Sequence, residues 1–222
     1  NTRHPSMKNT LFTLMVVGIL SLTRAHAGEL QVGFAQLSIT PDLIDQWVDV
    51  NNDAQFDPDI DLWTDVNGNG EFDAIWMAGF QNQRPAQGVK DNLMAVAVVI
   101  DDGQNRIGII TADTVGLMRK FVLSVREAIP PEWGLDYLMV HATHNHEGPD
   151  TQGLWGPSFF SSGVNHDYMQ QLQQNILDTL NTAIDNLEPA KMSMARIPTN
   201  PLTPIKDKRK PIVIDEDIRA LL

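Results

Sequence analysis

The chain contains no cysteine. That absence removes disulfides, thiolate metal sites and cysteine nucleophiles together, so any metal must be held by histidine, carboxylate or tyrosine. Basic residues are scarce as well. Sixteen Lys and Arg against 28 Asp and Glu give a formal net charge of -12 and an isoelectric point near 4.7. Nucleic acid is therefore not expected as a partner, because phosphate binding needs a basic face that such a chain does not supply. The short cluster Lys206, Lys208, Arg209, Lys210 reads as a solvated loop. Long apolar runs are missing too: the stretch from Leu11 to Leu22 is too short to cross a bilayer comfortably, and no other segment approaches the length a transmembrane helix needs. What is present is a hydrophobic content of 42% over 222 residues, enough to bury one substantial core.

The apolar stretch suits export. A short positive region begins at Met7-Lys8, and Ala25-His26-Ala27 places small residues at the two positions a signal peptidase reads. Cleavage before Gly28 is expected, giving a secreted or periplasmic protein; the six residues ahead of Met7 read as upstream translated sequence. Processing removes Arg3, Lys8 and Arg24 and no acid, so the formal charge falls from -12 to -15.

Much of that charge is concentrated. Between Asp42 and Asp73 there are ten carboxylates and no Lys or Arg, interleaved with Asn and Gly. The run Asp65, Asn67, Asn69, Glu71, Asp73, with Gly68 and Gly70 between, matches the opening of a calcium loop, in which oxygens at alternate positions and a sharp turn wrap a hard cation. Trp76 stands where a complete EF-hand would have its bidentate Glu. A second, similar run is Asp49, Asn51, Asp53, and a tandem pair of loops sharing Asp57, Asp59 or Asp61 is the better version of the expectation. Calcium here would be structural. The competing reading is a solvated acidic insertion, whose like charges would repel unless a cation neutralised them.

Three of the six histidines fall within residues 141–146, directly after the apolar run Tyr137-Leu138-Met139-Val140. A strand that ends in a Gly- and Pro-rich turn delivers its last side chains to a sheet edge, where imidazoles can face a cleft. Residues two apart on an extended segment project from one side, so His144 and His146 are expected to converge on one ion or one substrate group. His141 lies on the opposite parity and reads as a half-buried strand histidine.

The remaining pattern is α/β: a mixed, layered β-sheet with flanking helices. Residues 32–39, 93–100, 107–111 and 137–142 read as strands, the second and third joined by a hairpin around Asp102-Gly103. The length of their apolar runs argues for buried strands. Apolar residues at 117, 118, 121, 122 and 125 predict a helix over 115–129 that stops at Pro130-Pro131. A long amphipathic helix over 166–187 would bury Tyr168, Leu172, Ile176, Leu180, Ile184 and Leu187, with Asn165 as its N-cap. The strand, helix, strand order from 107 to 142 favours a parallel crossover that places Asp113 and His144 at the same sheet edge.

The segments Val32-Gly33-Phe34, Ile39-Thr40-Pro41, Ala78-Gly79-Phe80, the run ending Thr111-Ala112-Asp113 and the loop Ala142-Thr-His-Asn-His-Glu-Gly-Pro149 together resemble the N-terminal part of the neutral/alkaline non-lysosomal ceramidases. The resemblance spans roughly residues 30 to 222. It implies that residues 28–222 are the N-terminal part of a zinc-dependent catalytic domain with an acidic insertion at 42–73. By that likeness the enzyme would cleave the amide of N-acylsphingosine or a related lipid amide with metal-activated water. His144 would be a zinc ligand, and His146 would orient the substrate carbonyl or stabilise the tetrahedral intermediate. A lipid amide or other small acyl molecule would be the substrate, and peripheral contact with a membrane is expected. Two departures from the family pattern are Glu147, where the family has Ser, and Asp150-Thr151, where it has glycines. The family's further ligands, a His, a Glu and a Tyr, lie far downstream of this motif, and no histidine follows His166. The chain is thus expected to be a piece of a longer enzyme whose metal shell is completed beyond Leu222. Asp113 could orient a ligand histidine or cap the turn into the next helix. The alternatives are a calcium-stabilised secreted binding module without catalysis, and a metal-dependent hydrolase of another amide or ester.

Overall fold

The computed structural model describes residues 28–198, 209–214 and 217–221. The signal-like segment and its cleavage position lie outside the described residues, apart from Gly28 itself. Its elements are β1 (Gln31–Ser38), β2 (Gln46–Val48), β3 (Leu62–Thr64), β4 (Met94–Asp101), β5 (Arg106–Ala112), α1 (Arg119–Glu127), β6 (Tyr137–Ala142), α2 (His166–Asp185), β7 (Glu188–Pro189), β8 (Met194–Pro198) and β9 (Asp217–Leu221). A five-stranded sheet runs β6-β5-β4-β1-β7, while β2-β3 and β8-β9 form separate pairs. The class is α/β, as the sequence pattern indicates. β4 pairs antiparallel with both β1 and β5, and β5 pairs with β6 in parallel through α1.

Alternation decides which face of the sheet is covered. Ala35 of β1, Ala95, Ala97 and Val99 of β4, and Ile110 and Ala112 of β5 are buried, and α2 lays Leu172, Ile176, Leu180 and Ala183 against them. Ile184 and Leu187 pack at the edge of this core. Asn165 caps α2 as expected, its side chain accepting from the Tyr168 amide at 2.9 Å. The buried Tyr168 hydroxyl has no partner among the described residues, and desolvation raises its ionisation well above the ordinary range. The strands are not buried on both faces, contrary to the expectation from their length: Phe34, Ile107, Tyr137 and Met139 lie exposed on the side away from α2.

The sheet and α2 approach most closely at Gly33. A Cβ placed there would stand 1.8 Å from the Ala183 carbonyl oxygen, inside the helix backbone. Gly33→Ala is therefore expected to push α2 off β1 and to destabilise the protein by about 3 kcal/mol, at the upper end for overpacking. A denaturation midpoint equal to that of the wild type would show that the helix shifts freely.

The helix predicted over 115–129 begins only at Arg119. The carbonyls that would start it are committed elsewhere: Thr114 accepts from the Asn145 amide, Val115 from the His144 ring and Gly116 from the Thr151 hydroxyl. Helix was exchanged locally for a loop that supports the histidines.

Residues 45–57 and 61–73 form an internal repeat offset by sixteen positions. Asp45, Trp47, Asp49, Val50, Asn51, Phe56 and Asp57 recur as Asp61, Trp63, Asp65, Val66, Asn67, Phe72 and Asp73. Trp47 pairs with Trp63 where β2 meets β3, and Phe56 stacks on Phe72 at 3.9 Å between centroids. The leading carboxylate of each unit serves the other half of the pair. Asp61 accepts from the Val50 and Asp57 amides at 2.9 and 2.8 Å, and Asp45 accepts from the Val66 and Asp73 amides at 2.9 and 2.8 Å. Both carboxylates are buried. Backbone conformations repeat as well: Gly68 and Gly70 have φ of 74° and 80°, and the equivalent Asn52 and Ala54 have φ of 61°.

Candidate functional site

β6 ends at Ala142, and the chain then follows β5 past its end, with the Thr143 amide donating to the Ala112 carbonyl and the Asn145 amide to the Thr114 carbonyl. His144 lies between them with φ of 65°, in the left-handed region that a non-glycine residue seldom occupies. The segment is therefore not the extended one that side-chain parity assumed. The two histidines converge all the same, with His144 Nε2 and His146 Nε2 3.2 Å apart and ring planes at 73°. A turn brings about what an extended strand end was expected to do. His141 is exposed on β6, so the half-buried reading does not hold there.

The proton on His144 is placed by its neighbours. Its Nδ1 lies 2.6 Å from the Val115 carbonyl oxygen, which can only accept, so Nδ1 carries a hydrogen and the tautomer this selects presents Nε2 toward His146. A metal-ligating histidine characteristically gives its other ring N–H to a carbonyl or carboxylate in this way. Two nitrogens bound to one tetrahedral zinc at roughly 2.0–2.1 Å each stand about 3.3 Å apart. The observed separation suits a shared cation, and equally an N–H···N bond in its absence.

His146 is enclosed by a strap formed by residues 75–86. The strap doubles back on itself through Met77 N to Arg84 O and Ala86 N to Ile75 O, and joins the histidine loop through Ala78 N to Gly148 O and Asp150 N to Trp76 O. Gly79 (φ 120°) lies so close that an added Cβ would meet the His146 Cβ at 2.7 Å, and the Phe80 ring packs edge-on at 5.4 Å from the His146 ring. Arg84 donates through Nη2 to the carbonyls of Ala78 and His146, both at 2.7 Å.

Beyond the histidines the loop is built around Asp150. Its carboxylate is fully buried and accepts four backbone N–H groups, from Gln152 and Gly153 on Oδ1 and from Trp155 and Gly163 on Oδ2, at 2.8 to 3.2 Å. One side chain thus closes the uncharged segment 151–165.

Asp113 is not close to the imidazoles in hydrogen-bonding terms. Its Oδ2 accepts the Met94 amide at 2.9 Å, and the group that orients His144 is the Val115 carbonyl instead. Asp113 lines a cavity of about 840 Å³ together with Thr143, Asn145 and Glu147. Those are the odd-numbered residues of the loop, and neither imidazole of the pair lines that cavity.

The predicted calcium-loop residues gather in the repeat, remote in sequence from the histidines. Asp65 accepts the Gly68, Asn69 and Gly70 amides, and Asn67 and Asn69 both donate to Asp73 at 2.7 and 2.6 Å. The Glu71 amide donates to Asn69. In the first unit Asp49 accepts the Asp53 and Ala54 amides, and Asn51 donates to Asp53 at 3.0 Å. Asp57 accepts the Asp59 amide, while Asp61 braces the first unit through the Val50 and Asp57 amides. Among the described residues no group of three or more His, Asp or Glu side chains is arranged to hold a metal.

The residue overlooked from sequence is Arg84. Its signal was available: it is the first Lys or Arg after residue 28, just beyond the acidic run that ends at Asp73.

No protein-family model matches the chain. Solved structures that share its fold include two ceramidases. One is a ceramidase complexed with C2, with a TM-score of 0.59 and 16% identity, covering 87% of this chain and 28% of that one. The other is the neutral ceramidase from Pseudomonas aeruginosa, with a TM-score of 0.55 and 16% identity, covering 78% of this chain and 24% of that one. The chain therefore spans about a quarter of the length of the ceramidase chains it matches.

Proposed function

We propose that this protein is a ceramidase-like, zinc-dependent hydrolase of a lipid amide, exported from the cytoplasm, with His144 as a metal ligand and His146 beside it. The observation that carries the reading is the pair of Nε2 atoms 3.2 Å apart, with the Val115 carbonyl accepting from Nδ1 of His144 and so favouring the tautomer whose Nε2 is free to bind a metal. The fold shared with two ceramidases supports the substrate class.

An amide resists neutral water, and it yields when its oxygen is polarised and the attacking water is made a stronger nucleophile. A zinc ion supplies that Lewis acidity when bound. His144 would hold the ion through Nε2, its ring orientation fixed by Val115, and His146, facing the same point, would interact with the acyl oxygen as charge develops there. The test is zinc content by atomic absorption together with release of fatty acid from an N-acylsphingosine, with and without a zinc-selective chelator. Stoichiometric zinc and chelator-sensitive hydrolysis are expected; full activity in the chelated protein would sink the reading.

No helix among the described residues is long and apolar enough to cross a membrane. Peripheral contact with a lipid surface is assigned to the uncharged segment 151–165, where Phe159 and Phe160 stand 81% and 94% exposed.

The duplicated acidic unit is read as a structural calcium module. The support is the repeated spacing of Asp49, Asn51, Asp53 and Asp65, Asn67, Asn69, with left-handed residues at matching positions. Calcium at a hundredfold excess over its dissociation constant should stabilise the protein by about 2.7 kcal/mol. Melting measured in calcium and then in a calcium chelator checks this; identical curves would overturn the module assignment.

A further inference from the structure

We propose that Arg84 is a positioning residue for the histidine pair, acting through the His146 backbone; the inference rests on the reading of His144 and His146 as the metal and substrate centre. Arg84 reaches across 62 positions in sequence to the His146 carbonyl, and the same Nη2 holds the Ala78 carbonyl of the strap. One nitrogen thus joins the two segments that enclose His146.

The rest of the guanidinium restricts the geometry further. Its Cζ lies 5.3 Å from the Phe80 ring centroid, and Phe80 in turn packs on His146. Nη1 approaches Glu147 Oε1 at 3.4 Å, a long contact to a largely exposed carboxylate that contributes little by itself. Nε is buried with no partner among the described residues, so the side chain is held here at the expense of one unsatisfied donor. Gly79 packs closely on the same residue, since an added carbon there would stand 2.7 Å from the His146 Cβ and 2.9 Å from its carbonyl oxygen. Val115 fixes His144 from the loop that follows β5, and Arg84 fixes His146 from the strap. The 3.2 Å separation is set by those two anchors rather than by the loop between them.

The strap is itself anchored. The Phe56 amide donates to the Gln83 carbonyl at 2.7 Å, and Gln83 donates to the Gly156 carbonyl at 2.8 Å. Arg84 is therefore presented from a rigid base, as a group that must hold another side chain to a fraction of an ångström requires.

The experiment compares wild type, Arg84→Met and Arg84→Lys in the whole protein. Histidine-labelled samples report the ring-to-ring nuclear Overhauser contact between His144 and His146, and Co²⁺ titration reports affinity through its visible spectrum. In Arg84→Met the ring contact should vanish while the amide spectrum of the sheet is kept, and Co²⁺ affinity should fall about 10- to 100-fold, the range for partners that orient ligands. Should the Met variant fail to fold, Arg84→Lys carries the test, since one ammonium cannot reproduce the planar fork, and the ring contact should weaken. An undiminished ring contact in the folded variant would overturn the role of Arg84. A wild type that takes up no Co²⁺ would sink the metal reading, and the ring contact would still decide the case of Arg84.

Discussion

On the proposed zinc-hydrolase reading, replacing His144 with alanine is expected to abolish zinc binding and to lower hydrolysis of an N-acyl substrate by about 10³-fold or more, beyond the 10- to 100-fold typical of groups that only orient a ligand. The expectation follows from the His144 ring, whose Nδ1 is committed to Val115 and whose Nε2 is thereby left as a lone-pair donor facing His146. The fold should survive, because His144 is exposed and outside every helix and strand. Its backbone is nevertheless left-handed at φ 65°, which alanine tolerates at a cost of about 1 kcal/mol or slightly more. His144→Asn separates the two effects, since asparagine accepts that conformation yet is a poor zinc ligand. Both variants should lose zinc alike, with Asn melting closer to wild type. Stoichiometric zinc retained in either one would remove His144 from the metal centre.

The second large effect concerns Asp150, which is expected to matter for stability and, through the loop it closes, for the site. Alanine there leaves four backbone N–H groups without their acceptor, and an unsatisfied buried donor costs about 1–3 kcal/mol. A loss of about 4 kcal/mol or more is expected, large enough to remove most of the stability of a marginal domain. Asp150→Asn is the sharper variant because it conserves shape. Its one carbonyl oxygen can still receive two amides, but its NH₂ would face the N–H donors on the other side, where the carboxylate accepts from Trp155 and Gly163. Chemical denaturation should therefore rank wild type above Asn and Asn above Ala, with increased proteolysis within 151–163. An Asn variant as stable as wild type would mean that this carboxylate does not organise the segment.

Features governed by short-range periodicity were legible without coordinates. Alternation marked β1, short apolar runs marked β4, β5 and β6, spacing of apolar residues marked α2, and Asn165 stood where a cap was needed. The two acidic runs were visible as similar, although their reciprocity was not. Asp45 and Asp61 read simply as two more carboxylates in a charged stretch, and only the pairing of β2 with β3 sets each over the other unit's amides. The stripe over residues 115–129 was genuine, but periodicity cannot register that the carbonyls of Thr114, Val115 and Gly116 are claimed by residues 145, 144 and 151.

The site divides along the same line. By itself the sequence determined the α/β class, the strand that delivers the histidines, the capped helix beneath the sheet and the identity of the two imidazoles, because local sterics and apolar spacing act over a few residues. Tertiary structure alone decided that His144 turns through a left-handed residue, that Val115 selects its tautomer, that Arg84 rather than a carboxylate braces His146 and that Asp113 faces Met94. Each of these depends on a hydrogen bond between segments 19 to 62 positions apart. Contacts at such separation are fixed by how the layers pack, and no local pattern encodes them.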